Sequence, residues 1–190
     1  VTMSQIFRRA HLRAPIKRDV LFIDDEYVLK ARTLNISEGG ILLESLPHVP
    51  EIKSIPLMIP IPEFPEFYHL SQEQILGLDL DSLEGEVGRF KARLVRSFEG
   101  ISEVDKIFVT KIGCEFVATG EREDFLVKEY VTRFAKNLIF LLGLFEGRGF
   151  SKKTPQLIRK CSDLLGYDSE LPVAQLRLKA LHDYQSLESL

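Results

Sequence analysis

Two short stretches carry residue types whose spacing could do chemistry. Residues 8–13 read RRAHLR, which sets Arg9 and Arg13 four positions apart, and residues 35–40 read NISEGG. In the second stretch Gly supplies positive φ, and Asn or Ser can satisfy a turn through its own side chain, so a tight turn is one reading. The other is a ligand cradle, in which bare backbone and short polar groups come close to a bound molecule. The arginines read either as solvated surface or as planar cations for an anionic ligand. Neither stretch decides the matter alone, because turns and surfaces use the same residues.

The remainder of the chain narrows the choice. Its 190 residues are 45% hydrophobic and 28% charged, the composition of an ordinary globular protein with one good core and an appendage. The formal net charge is -3 and the pI about 5.9, so the whole molecule has no general attraction for nucleic acid or an anionic membrane, and any anion site must be local. Cys114 and Cys161 form no CxxC pair, and His11, His48, His69 and His182 are scattered, which leaves no zinc set. Buried reduced thiols are expected. No Ser-His-Asp order with a local motif, no HExxH and no Walker-type phosphate loop is present, so catalysis is not expected. Asp24, Asp25 and Glu26 read as a hairpin turn, and Asp79 with Asp81 as solvated loop. The first twenty residues include Arg8, Arg9, Arg13, Lys17 and Arg18 without an apolar run, and LIFLLGLF at 138–145 is too short to span a bilayer. A cytoplasmic protein without membrane insertion is the expectation; the formal sequon at Asn35, Ile36 and Ser37 carries little weight without secretion.

Positioning these residues requires regular elements, and the first 118 residues read as strands. In GRFKARLVR, Phe90, Ala92 and Leu94 alternate with Arg89, Lys91 and Arg93, and in TKIGCEF, Ile112, Cys114 and Phe116 alternate with polar or small residues. Further strands are predicted at 17–23, 27–34, 40–44 and 52–61, separated by turn residues. Six short strands point to a small antiparallel barrel or sandwich. Pro56 and Pro60 remove ladder donors, so the strand at 52–61 is expected to be an edge or broken. The stretch at 62–85 is too long for a hairpin and reads as a surface elaboration with a helical turn or two, or as a lid.

After Gly120 the period becomes helical. Val127, Val131, Phe134, Leu138, Leu141 and Phe145 form a stripe, and Glu121, Glu123 and Asp124 sit where the dipole favours negative charge. Phe125, Leu126, Tyr130, Ile139, Phe140 and Leu144 widen the apolar surface beyond what one barrel face covers. Thr154 and Pro155 open a second helix carrying Leu157, Ile158, Cys161, Leu164 and Leu165, stopped by Gly166. A third begins near Pro172 with Val173, Leu176, Ala180, Leu181, Tyr184 and Leu187 as its stripe. The expected fold is thus a β-dominated α+β chain: a six-stranded antiparallel barrel with its own helix over 1–146, and a helical extension over 147–190. The broad apolar surface after residue 120 predicts cover by the tail or by a second subunit, with a homodimer preferred.

Taken together and in this order, the two stretches resemble the signature of the PilZ domain, RxxxR followed after one hairpin by (D/N)xSxxG. Arg9 and Arg13 fill the first motif; Asn35, Ser37 and Gly40 fill the second. The late strand IGCEFVA and the helix EREDFLVKEYVTRF also follow in the family's order, and the resemblance spans roughly residues 6–145. The length of 62–85 and the two helices after 150 depart from a compact member.

The resemblance implies a cyclic di-GMP receptor with no other cofactor, acting on an unidentified protein partner in a bacterial output such as motility or exopolysaccharide. Arg9 and Arg13 would wrap over the nucleotide, Asn35 and Ser37 would hydrogen-bond a guanine, and Gly39 with Gly40 would let backbone approach. Arg8, directly before the motif, would serve a second stacked nucleotide. The chemistry suits the ligand, since two phosphates and two guanines call for cations that bridge oxygens, pair with guanine edges and stack. The alternative is a nucleic-acid-binding regulator using Arg89, Lys91, Arg93 and Arg96 on one strand, or the pair of helices after 150; alternating charge on a strand is more often its wet face.

Overall fold

The structure is a computed structural model that describes residues 11–46, 50, 54–101, 108–147 and 154–188. Its strands are β1 (Ala14–Pro15), β2 (Asp19–Asp24), β3 (Tyr27–Ser37), β4 (Gly40–Glu44), β5 (Ser54–Pro62), β6 (Gly85–Ile101) and β7 (Phe108–Phe116). Six of them close an antiparallel barrel in the order β3-β2-β5-β6-β7-β4, with β4 pairing back onto β3. The two-residue β1 is the addition to the expected six. It pairs with β3 and leads through residues 16–18 into β2, which pairs with the same strand.

Alternation builds the core. In β2, Val20 and Phe22 point inward while Leu21 and Ile23 point out, and Ile55, Leu57 and Ile59 do the same from β5. Asp25, at φ 55, supplies the left-handed residue of the β2–β3 turn. The closure is tight at the start of β4. A Cβ on Gly40 would lie 2.1 Å from the Cys114 carbonyl oxygen of β7, so only glycine permits β4 to reach its neighbour there. Burial pushes the Cys114 thiol up to about 11 and the Cys161 thiol to about 12, so both stay protonated and unreactive, as expected of buried thiols.

β5 is neither an edge nor broken, contrary to the expectation from its prolines. It pairs with β6 along its whole length, from Ser54↔Arg93 to Pro62↔Gly85. Its ladder with β2 is confined to Leu21↔Met58 and Phe22↔Leu57. Successive residues of a strand direct their amides to opposite neighbours, so Pro56, Pro60 and Pro62, being of one parity, all withdraw donors from the same side. The side with the short ladder is that of β2, and the β6 side is left intact.

Among the described residues four α-helices accompany the barrel: α1 (Gln72–Leu76), α2 (Glu121–Phe145), α3 (Thr154–Leu164) and α4 (Val173–Glu188). Three acidic residues in the first turn of α2 face its positive dipole end, and Gly147 at φ 67 follows its last turn. The helix contacts β1, β3, β5 and β6 on one side and α3 and α4 on another. Its buried set is Val127, Tyr130, Val131, Phe134, Asn137, Leu138, Leu141 and Leu144. Phe145, expected in the stripe, is only half-buried, and Leu144 takes its place because two sides of the helix are covered instead of one. The whole predicted face of α3 is buried, whereas among the described side chains of α4 only Leu176 and Ala180 are, and Val173 is exposed; Leu187 lies outside the described side chains. Gly166, at φ 83, ends α3: its N–H donates to the Asp163 carbonyl while Tyr167 N–H reaches back to Ser162, a Schellman cap.

The long segment between β5 and β6 is an anchored elaboration. Phe67 and Ile75 are buried, Ser71 and Gln74 form a capping box on α1, and Phe67 packs edge-on against Phe140 of α2. Asn137, fully buried, secures it: its Oδ1 accepts from Phe67 N–H at 2.8 Å and its Nδ2 donates to the Pro65 carbonyl at 2.9 Å. An asparagine in the middle of an apolar stripe is thereby satisfied by backbone that would otherwise be buried unpaired.

Two substitutions test these constraints by urea unfolding. Asn137→Ala should lower stability by ~1–3 kcal/mol for each backbone group it orphans. Gly40→Ala should be more damaging, because its methyl group meets backbone. Gly143→Ala, where a Cβ has nothing within 4 Å, should leave stability unchanged or raise it by up to ~1 kcal/mol. Equal midpoints for Gly40→Ala and Gly143→Ala would show that β4 is free to move away from β7.

Candidate functional site

The described end of the first stretch, residues 11–13, lies beside the second. β1 pairs antiparallel with the C-terminal part of β3 at Ala14↔Ile36 and Pro15↔Asn35. Continuing that register sets Arg13 opposite Ser37 and His11 opposite Gly39. The second placement agrees with the side chains: a Cβ on Gly39 would lie 2.8 Å from His11 Cδ2. His11, one of the scattered histidines of the sequence, therefore belongs at this site, and its position inside RRAHLR was the available signal. Arg8 and Arg9 lie outside the described residues.

Each member of the site is held by a separate constraint. Arg13 is exposed and Asn35 half-buried, while Ser37 is 8% exposed and donates its hydroxyl to the Gly40 carbonyl at 3.3 Å. That bond closes the turn at 38–39 between β3 and β4. Neither Gly39 nor Gly40 takes a positive φ, so the glycine pair is not there for a left-handed turn. Both are needed for close approach, Gly39 beneath His11 and Gly40 against Cys114. A break in the β3–β4 register between Thr33 and Asn35 re-aims the strand just before the motif.

The segment after Arg13 is fastened to the barrel and to the helices. Ile16 N–H donates to the Leu34 carbonyl and Thr33 N–H to that of Arg18. The buried Thr33 hydroxyl accepts from Arg18 N–H and donates to the Ile16 carbonyl, both at 2.8 Å. Tyr130 of α2 donates its hydroxyl to the Pro15 carbonyl at 2.7 Å, and burial raises its pKa well above the ordinary tyrosine value, which keeps the donor proton in place. Pro15 also lies within 3.0 Å of where a Cβ on Gly166 would sit, so the end of α3 rests on β1. Thr33 and Tyr130 support the site indirectly, and no sequence motif distinguishes them from ordinary strand and helix residues.

On the far side of β1 a cavity of about 310 Å³ opens between residues 15–18, the elaboration and α3. Arg18 lies in its wall, donating to the Leu80 carbonyl at 2.5 Å and standing 3.6 Å from Asp81. Its rim mixes Lys17, Arg32 and Lys160 with Asp79 and Asp163. Among the described residues no group of His, Cys, Asp or Glu is placed to hold a metal ion, and no helix is long and apolar enough to cross a membrane.

No family model and no curated protein matches the chain. Solved structures do. The inhibitor of motility MotI/DgrA of Bacillus subtilis aligns at 19% identity and a TM-score of 0.49, covering 67% of this chain and 51% of its own. The PilZ domain of YcgR from Escherichia coli with c-di-GMP aligns at 14% identity and 0.42, covering 66% and 89%. The MrkH–c-di-GMP complex of K. pneumonia aligns at 13% and 0.43, covering 75% and 55%. The chain thus spans about half the length of MotI/DgrA and of MrkH. These likenesses are distant, and the reading of the site rests on the chain's own residues.

Proposed function

We propose that the chain is a cyclic di-GMP receptor, not an enzyme, which passes the binding event to a protein partner. The observation that supports it is the register of β1 on β3, which lays the end of RRAHLR along NISEGG so that Arg13, Asn35, Ser37 and Gly39 share one place on the barrel. An arginine there can bridge phosphate oxygens or pair with a guanine edge, while Asn35 offers an amide on the adjoining strand. Arg9, one helical or two strand periods before Arg13, completes the clamp in this reading, and Arg8 serves a second, stacked nucleotide. Gly39 and Gly40 keep the floor of the site free of side chains. β1 touches Tyr130 and Gly166, so in this reading the helices are the route by which binding beside β1 reaches the partner.

Titration calorimetry with cyclic di-GMP, GMP and cyclic di-AMP tests the reading. Cyclic di-GMP should bind and the other two should not compete. Arg9→Ala or Arg13→Ala should weaken binding by about 2–5 kcal/mol. Ser37→Ala should cost roughly 0.5–1.5 kcal/mol, the size of a neutral hydrogen bond. The stoichiometry should be two nucleotides per chain, falling to one in Arg8→Leu. Wild-type affinity in both arginine variants would remove the site.

We further propose that the helices form the output and assembly unit, with 147–190 an extension of a barrel that carries α2. Phe125 and Ile139 of α2 remain 61% and 45% exposed after α3 and α4 have covered much of the rest, which leaves apolar surface for a second copy. Light scattering should show a dimer for the intact chain, whereas a form ending at Gly147 should aggregate, because α2 loses the contacts that α3 and α4 make with it. An intact chain that stays monomeric at high micromolar concentration would end the dimer reading.

A further inference from the structure

The imidazole of His11 stands on bare backbone. A Cβ on Gly39 would lie 2.8 Å from its Cδ2, 3.3 Å from Nε2 and 3.7 Å from Cγ, so the ring turns its Cδ2–Nε2 edge to the strand and takes the room that a side chain at 39 would need. His11 is exposed, and among the described residues it has no hydrogen-bond or ion-pair partner. A ring held at one edge and exposed elsewhere adds little to the packing of the barrel. It offers instead a flat surface beside the signature residues.

The spacing of its neighbours defines what that surface fits. β1 runs antiparallel to β3 at Ala14↔Ile36 and Pro15↔Asn35, and the contact with Gly39 carries the same direction back to His11. Residues two apart in a chain that runs along a strand stand on one face, roughly 6.7 Å from each other, and His11 and Arg13 are such a pair. That is twice the ~3.4 Å that separates stacked bases. A purine therefore fits between the two side chains, with a flat ring over one face and a flat cation over the other. A guanidinium stacked in this way keeps its N–H groups in its own plane, free to meet phosphate oxygens at the edge of the base. The local charge also favours a base over a phosphate above Gly39. Glu38, exposed in the adjoining turn, repels an anion there and is indifferent to a neutral ring.

We propose that His11 and Arg13 sandwich one guanine of the nucleotide, and that residue 39 is glycine so that the imidazole can stand at this spot. The proposal rests on the nucleotide reading and deepens it. The arginines answer to the phosphates, whereas the His11 ring adds a demand for an aromatic base.

NMR spectroscopy of the full chain titrated with cyclic di-GMP tests the sandwich, because a stacked base shifts the Cδ2–H and Cε1–H resonances of an imidazole upfield. The His11 signals, identified by their loss in His11→Phe, should move upfield, while those of His69 and His182 on other elements stay. By calorimetry, His11→Ala should weaken binding about 5-fold or more, the low end for a base stacked on an aromatic side chain. His11→Phe should stay within about 3-fold of wild type because it keeps the ring, and His11→Lys, which keeps only a charge, should fall with the alanine variant. Gly39→Ala displaces the ring and should lose as much as His11→Ala, and the double variant should lose no more than either. His11 is exposed, so its variants should keep the circular dichroism of the wild type. Unshifted His11 resonances or wild-type affinity in His11→Ala would overturn the proposal. So would affinity kept in His11→Lys and lost in His11→Phe, since the contact would then be electrostatic, and additive losses in the double variant would remove the link between His11 and Gly39. Any of these with a wild type that binds leaves the nucleotide site standing without the sandwich; a wild type that does not bind removes both.

Discussion

Everything in this molecule is organised around one strand that has more neighbours than a strand usually has. The eleven residues of β3 pair with β2 and then β1 along one edge and with β4 along the other. That arrangement works only if the chain can turn from β3 into β4 and bring β4 against β7 within backbone contact, and the contact at Gly40 leaves no room for a side chain. The same few residues that close the barrel therefore also build the candidate nucleotide site. Asn35, Ser37, Gly39 and Gly40 lie at that closure, which leaves bare backbone at the candidate site.

The second organising element is α2, which has two partners with different demands. The barrel asks it for aliphatic and aromatic side chains; the elaboration between β5 and β6 brings backbone groups that need hydrogen bonds. Asn137 meets the second demand in the middle of the apolar stripe, at no exposure to solvent. Phe67 and Phe140 then pack across it, and α3 and α4 cover the remaining side. Barrel, elaboration and helices share a continuous hydrophobic cluster, so a change at β1 has a physical route to α3 through Tyr130, Pro15 and Gly166.

The barrel also separates its surfaces by chemistry. The β1–β3–β4 corner presents an arginine and short polar groups; the outer side of β2 and β5 presents Leu21, Ile23 and Met58. The prolines of β5 belong to that separation. By withdrawing donors on the β2 side they shorten one ladder, and on the outer face they add rigid apolar surface that has no polar group to satisfy. Of the four cations on the basic strand, Arg93 is held by Glu115 at 2.6 Å.

Much of this was determined by the sequence alone. Period-two alternation set out six strands, the change of period after Gly120 set out the helices, and the order of RRAHLR and NISEGG pointed to a nucleotide clamp, because these signals are local and repeat over many residues. The tertiary structure decided the rest. Only pairing could show that β5 is internal, since a proline withdraws a donor on one side and sequence does not say which side has the neighbour that needs it. Only three-dimensional contact could give Gly40 its reason in the Cys114 carbonyl, His11 its place above Gly39, and Asn137 its partners some seventy residues away. Those interactions join residues distant along the chain, and no local pattern encodes a distant neighbour.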